Sequence, residues 1–202
     1  MFKVQIGEDF RKAFGFIAHP ESAFESESND TGYWPMLRFF IVLNILLAVL
    51  TPLVNWFHIP SDIVHAGTNA QMGAYVQAPL LEASTGISRY IWMAILTYLG
   101  NLLKFPLLGI LFHGFSKVMR GTGTLNDSFK IAVYSTAPVL LLGWVPFFGL
   151  ISGLWVGYLY VVGFWKLHDV SMGKAIALVN LLIGIQLVWA FVFGWIGSSV
   201  AW

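Results

Sequence analysis

Lys104 lies within a long apolar run, and a charge in hydrocarbon is costly enough to mark a structural or functional site. Asn101 shares its helical face at i−3. Pro106 frees the carbonyl of Leu102 in the same turn, an acceptor for the ammonium group. Asn44, Asn180 and Gln186 are polar groups midway along other apolar runs. No acid lies within these runs, so no salt-bridge partner for Lys104 is apparent there. Lys104, Asn101, Asn44, Asn180 and Gln186 therefore read as an intramembrane polar site, either glue between helices or the lining of a solute path. The plainer alternative is that Lys104 snorkels to the interface.

His19, His113 and His168 fall near the ends of apolar runs, the last beside Asp169. Imidazole and carboxylate bind zinc or relay protons, but no ligand spacing supports a metal site, and Asp169 serves more simply as a helix cap. His58 and His65 would share a helical face if Pro60 did not separate them. The sequence holds no HExxH, no phosphate-binding glycine loop with a Lys-Ser/Thr end, and no GxSxG. GTGT at 121–124 follows an apolar run rather than a strand and reads as a flexible loop. With no cysteine, there is no thiol nucleophile and no thiolate site. The expectation is a non-enzymatic protein, with no metal and no cofactor.

The elements that position these residues follow from composition. Of 202 residues, 57% are hydrophobic and only 10% charged, against about 25% charged in soluble domains. That makes the chain an integral membrane protein whose first partner is the lipid bilayer. A net charge of +1 gives no reason to expect a nucleic-acid partner. Five runs are about long enough to cross ~30 Å of hydrocarbon at ~1.5 Å per residue. They cover about Met36–Val54, with Pro52 at the far end, about Arg89–His113, two arms meeting at Trp144-Val145-Pro146-Phe147, and about Lys174–Ile196. Pro138 interrupts the first of those arms, with Ser135 as one candidate to satisfy the carbonyl it frees. Gly149, Gly153 and Gly157 in the second form two overlapping GxxxG patterns, a packing stripe for a helix of this chain or of a second copy in a homo-oligomer.

Charge sets orientation. Lys3, Arg11, Lys12 and Arg38 lie at the first end, Lys117, Arg120 and Lys130 in the second loop, and Lys166 and Lys174 in the fourth. The remaining segments hold none but Arg89. Positive loops stay cytosolic, so the fold class is all-α: a polytopic five-helix membrane bundle, N-terminus cytosolic, C-terminus outside. Asn126 or Asp127 is placed to cap the third span, and Asp169 or Ser171 the fifth.

Residues 1–30 form a cytosolic arm and 31–202 the membrane domain. Phe2, Ile6, Phe10, Phe14 and Ile17 recur at three- and four-residue steps, which predicts an amphipathic helix ending before Pro20. It lies in the membrane interface or packs on the protein's own spans. ESAFESESND at 21–30 reads as an acidic mobile loop. Residues 55–88 form a long polar connection, with AQMGAYVQAPLLEA as a short surface helix broken at Pro79.

Tyr134-Ser135-Thr136-Ala137-Pro138, the proline turn, the Gly/Trp-rich next span and Lys166-x-His168-Asp169-Val170-Ser171-x-Gly173-Lys174-Ala175 resemble the core of the Yip family. The similarity is closest over about residues 120–190. It implies a five-span protein whose eukaryotic relatives associate with Rab-type GTPases, and it singles out Tyr134, Pro138, His168, Asp169 and Lys174 as family-motif residues. Eukaryotic members carry a long cytosolic arm and an Asp-Leu-Tyr-Gly-Pro motif. Here the arm is short and reads Asp30-Thr31-Gly32-Tyr33-Trp34-Pro35, which points to a prokaryotic member. The resemblance implies the inner membrane for a prokaryotic chain and ER or Golgi membranes for a eukaryotic one.

Two functions follow as expectations. The first is to organise or recruit a cytosolic protein partner through residues 114–130 and 166–174, a membrane-organising role. The alternative is a small channel, transporter or lipid-moving protein built around Lys104.

Overall fold

A computed structural model describes the backbone of residues 6–30, 32–57, 84–145 and 148–200, and within these the side chains of all but 149, 150, 186, 187 and 189–200. The described residues are all-helical. In chain order the helices are α1 (Ile6–Ala18), α2 (Pro20–Ser28), α3 (Tyr33–Trp56), α4 (Ile87–Val118), α5 (Leu125–Tyr134), α6 (Ala137–Leu142), α7 (Phe148–His168) and α8 (Met172–Val200). By length and composition α3 and α4 are candidate membrane-spanning helices. The surface helix expected at 70–83, His58, His65 and the Pro146-Phe147 joint fall outside the described residues.

The elements form for local reasons. Before α3, Asp30 Oδ1 accepts the N–H of Gly32 at 2.8 Å, and Pro35 lies in the first turn where its missing donor is tolerated. Pro52 lies inside α3 rather than ending it. α4 is longer than expected. It closes in a Schellman turn: Gly121 N–H donates to Ser116 O at 2.7 Å and Arg120 N–H to Lys117 O at 3.0 Å, with Arg120 at φ 64°. α5 begins with a capping box between Thr124 and Asp127, so Thr124, not Asn126 or Asp127, is the N-cap. Ser171 precedes α8, and its carbonyl accepts Ala175 N–H at 3.0 Å. Asp169 does not hold that position; it takes the left-handed φ of 55° just past α7.

Two expectations change here. The acidic stretch 21–30 is mostly helix, because Phe24 turns inward and becomes fully buried while the glutamates face outward or toward cations. The arm before Pro146 is two helices, not one kinked helix. Pro138 sits in the first turn of α6, and the Thr136 hydroxyl donates to Val133 O at 2.7 Å across the break. The buried Ser135 hydroxyl finds no partner among the described residues.

α7 is central: α2, α5, α6 and α8 pack against it, while α4 packs on α5 and α3. The core runs through Phe16, Phe24, Phe39, Phe112, Tyr134 and Phe164. Two glycines set the closest crossings. A Cβ on Gly109 would overlap the Phe129 ring, and one on Gly163 would press on Ile131 and Phe24. The predicted stripe behaves differently. Gly157 faces Val179 and Ile183 of α8, in the same chain, at ordinary van der Waals distance.

Candidate functional site

Residues 114–130 and 166–174 meet at one end of the bundle. After the Schellman turn the chain crosses the end of α7, where Thr122 N–H donates to His168 O at 2.9 Å. Gly121 and Gly123 are buried there, and a Cβ on Gly123 would overlap His168 Nδ1 and Leu167 O. The GTGT segment is therefore a packed strap, not a flexible loop; its glycines admit close backbone approach.

Beneath the strap, Ser128 Oγ lies 2.9 Å from His168 Nε2 and 3.4 Å from His113 Nδ1. His168 is fully buried and lies beyond the apolar run of α7, which ends at Trp165. Burial lowers its pKa to about 4; nearby His113 and Lys117 act in the same direction, and Asp127 opposes them. The ring is thus neutral at pH 7. Of the three histidines expected near this end, His113 and His168 come together and His19 stays exposed on the arm. Among the described residues no three His, Cys, Asp or Glu side chains are grouped to hold a metal.

The arm completes the layer. Lys12 Nζ pairs with Glu27 Oε1 at 2.7 Å, donates to the Tyr134 hydroxyl at 2.9 Å and lies over the Tyr134 ring. Phe16 stacks on the same ring, with centroids 4.6 Å apart. Lys130, buried, donates to the Glu27 carbonyl at 2.6 Å and contacts Asp127 Oδ1 at 3.5 Å. Arg38 grips the buried Asp9 with two nitrogens, at 2.9 and 3.2 Å. Lys166 faces Glu21 and Glu25 at 3.8 and 3.9 Å.

α1 buries Asp9, Ala13 and Phe16 against the bundle and leaves Ile6 and Phe14 exposed on an adjoining strip. It packs on the protein itself while keeping an apolar edge outward.

The family-motif residues divide accordingly. Tyr134 anchors the arm, Pro138 starts α6, and His168 carries the strap. Lys174 Nζ reaches Met119 O at 3.4 Å, and Asp169 is exposed.

The expected intramembrane site assembles only in part. Asn101 Nδ2 donates to Asn44 Oδ1 at 2.9 Å, and Asn44 Nδ2 to Tyr98 O at 3.0 Å, joining α3 to α4. Lys104 is half-buried one turn further along α4. Asn180 is exposed and bonds Ile176 O of its own helix, so it does not join them. The Gln186 side chain lies outside the described residues, as does that of Gly149; Gly153 is half-buried.

Lys12, Glu27, Ser128 and Lys130 are central to this layer and carry no spacing signal that marks them in the sequence.

The Yip1 domain model matches residues 14–196, spanning the arm from within α1 through most of α8. Neither the curated proteins nor the solved structures give a significant match.

Proposed function

The chain belongs to the Yip1 domain family, and on that basis we propose a five-span membrane protein that organises or recruits a partner at its cytosolic face. α3, α4, α5 with α6, α7 and α8 would be the five crossings, N-terminus in the cytosol and C-terminus outside. The Lys/Arg distribution supports this orientation. The Trp56–Tyr90 ring pair at the far ends of α3 and α4 supports a membrane interface at that level, on either side of the bilayer. Ile6 and Phe14 would dip into the interface beside the bundle.

The Thr122–His168 bond carries the functional reading, because it joins the two charged loops into one ordered surface. An ordered cytosolic layer and the lack of a catalytic motif suit a docking protein better than an enzyme. Crosslinking in native membranes, followed by pull-down, should recover a defined cytosolic protein. Its capture should fall when Lys166 or Thr122 is replaced by Ala in a folded protein. Recovery of no cytosolic protein would overturn the proposal.

The Asn44–Asn101 bridge favours the second reading, a channel, transporter or lipid-moving protein, enough to warrant a parallel assay. Solute flux or lipid scrambling in proteoliposomes, abolished by Lys104→Met, would establish it. A cytosol-active reporter tests the topology: activity after residue 120 or at residue 170, and none after Trp202.

A further inference from the structure

We propose that Lys117, Arg120 and Lys174 form a site for the headgroup of an anionic lipid at the rim where α4 ends and α8 begins. Four other cations at this end are matched by acids: Lys12 by Glu27, Arg38 by Asp9, Lys130 by Asp127, and Lys166 by Glu21 and Glu25. Lys117, Arg120 and Lys174 are all exposed, and no ion pair joins any of them to a carboxylate among the described residues. Arg11, exposed on α1, is the other described cation at this end without one.

The three converge on one short loop. Lys117 Nζ donates to Gly123 O at 3.1 Å, Lys174 Nζ to Met119 O at 3.4 Å, and Arg120 lies between those two carbonyls in the chain. A carbonyl accepts a hydrogen bond but leaves the charge in place. Two ammonium groups on the carbonyls of a loop that also carries Arg120 give this rim a positive charge that favours an anion. Asp169 is the exposed acid of the neighbouring loop, and it forms no ion pair with them. Asp127 is engaged by Thr124 and Lys130. His113 and the neutral His168 lie beneath the strap.

The neighbouring apolar surface selects a lipid over a soluble anion. Val118, next to Lys117 in the chain, is 82% exposed. A ligand that covers both surfaces carries an anionic group above hydrocarbon, and phosphatidylglycerol does so. The inference stands whether or not the same face also recruits a protein.

The test uses the full chain in mixed phosphatidylcholine and phosphatidylglycerol nanodiscs, with retained lipid counted by native mass spectrometry after release into detergent. Wild type should keep phosphatidylglycerol preferentially. Lys117→Gln, Arg120→Gln and Lys174→Gln should each weaken that preference about fivefold. Arg89→Gln, which removes an exposed cation at the start of α4, should leave it unchanged. Lys117→Arg with Lys174→Arg should retain it. If a Gln variant fails to fold, the wild type alone decides: no preference for phosphatidylglycerol overturns the proposal. Equal protection from melting by inorganic phosphate would also overturn it, since the site would then bind a free anion. So would Gln variants that lose protein crosslinking while keeping lipid.

Discussion

The Lys130 ammonium donates to the backbone carbonyl of Glu27 at 2.6 Å, across 103 residues of sequence. The lysine is 2% exposed, so its charge is tolerated through this bond and Asp127. The same Glu27 holds Lys12 through its carboxylate. One residue of α2 thus ties α1 and α5 together. Lys130→Met keeps the length and strands both acceptors. It should destabilise the detergent-solubilised protein by about 2 kcal/mol and speed proteolysis within residues 6–30. Unchanged melting and cleavage would show that the arm is held without this bond.

Glycines separate by what faces them. Gly109→Ala and Gly123→Ala place a methyl group on Phe129 and on His168, and each should cost about 1–3 kcal/mol. Gly157→Ala meets Val179 and Ile183 at ordinary distance, and Gly114→Ala meets open space. Both should be neutral or gain up to about 1 kcal/mol from helix propensity. Thermal melting of the four variants checks the order, and a larger loss at Gly157 than at Gly109 would contradict the packing described.

The sequence shows the spacing of glycines but not what lies opposite them. Gly149, Gly153 and Gly157 have the familiar period, yet among the described residues the tightest contacts with distant segments fall at Gly109, Gly123 and Gly163. The long helices were legible because hydrocarbon demands continuous apolar runs with internally satisfied backbones. The arm was legible only as far as Ala18: ESAFESESND reads as loop by its charge, and only Phe24 betrays a buried face. The sequence marks Asn44 and Asn101 as polar groups within apolar runs. That they pair, while Asn180 turns to its own helix, depends on helix rotation, which near-uniform hydrophobicity leaves undetermined.

His168 gives a pH dependence of defined sign. Its pKa is about 4 in the fold and near 6.5 when released. Above about pH 6.5 both forms are neutral and stability is full. As pH falls from there toward 4, the released chain binds a proton that the fold refuses, so stability drops; below 4 this contribution is constant. By pH 5 the loss should reach about 2 kcal/mol. His168→Gln should flatten this part of a melting curve followed against pH. An unchanged slope would assign it to other groups.

The amide bridge between α3 and α4 is testable as a cycle. Asn44→Leu and Asn101→Leu should each destabilise, and the double variant should lose less than their sum, with a coupling of about 0.6–1.7 kcal/mol. Strict additivity would mean that the two amides do not depend on each other. Lys104→Met, melted beside them, should match wild type if the ammonium only snorkels.

The docked arm also dictates an order of events at the ribosome. Phe16 and Phe24 are made first, but the surfaces that bury them, Tyr134, Ile131 and Gly163, come from α5 and α7. At about 5–20 residues per second, the 103 residues between Glu27 and Lys130 take about 5–20 s to synthesise. For that interval the arm's aromatic residues have only each other, Phe39 of α3 and the bilayer surface to cover them. Lys166 likewise enters the nascent chain before the helix carrying Glu21 and Glu25 has closed over it, so its charge stays unpaired by the arm until the bundle forms.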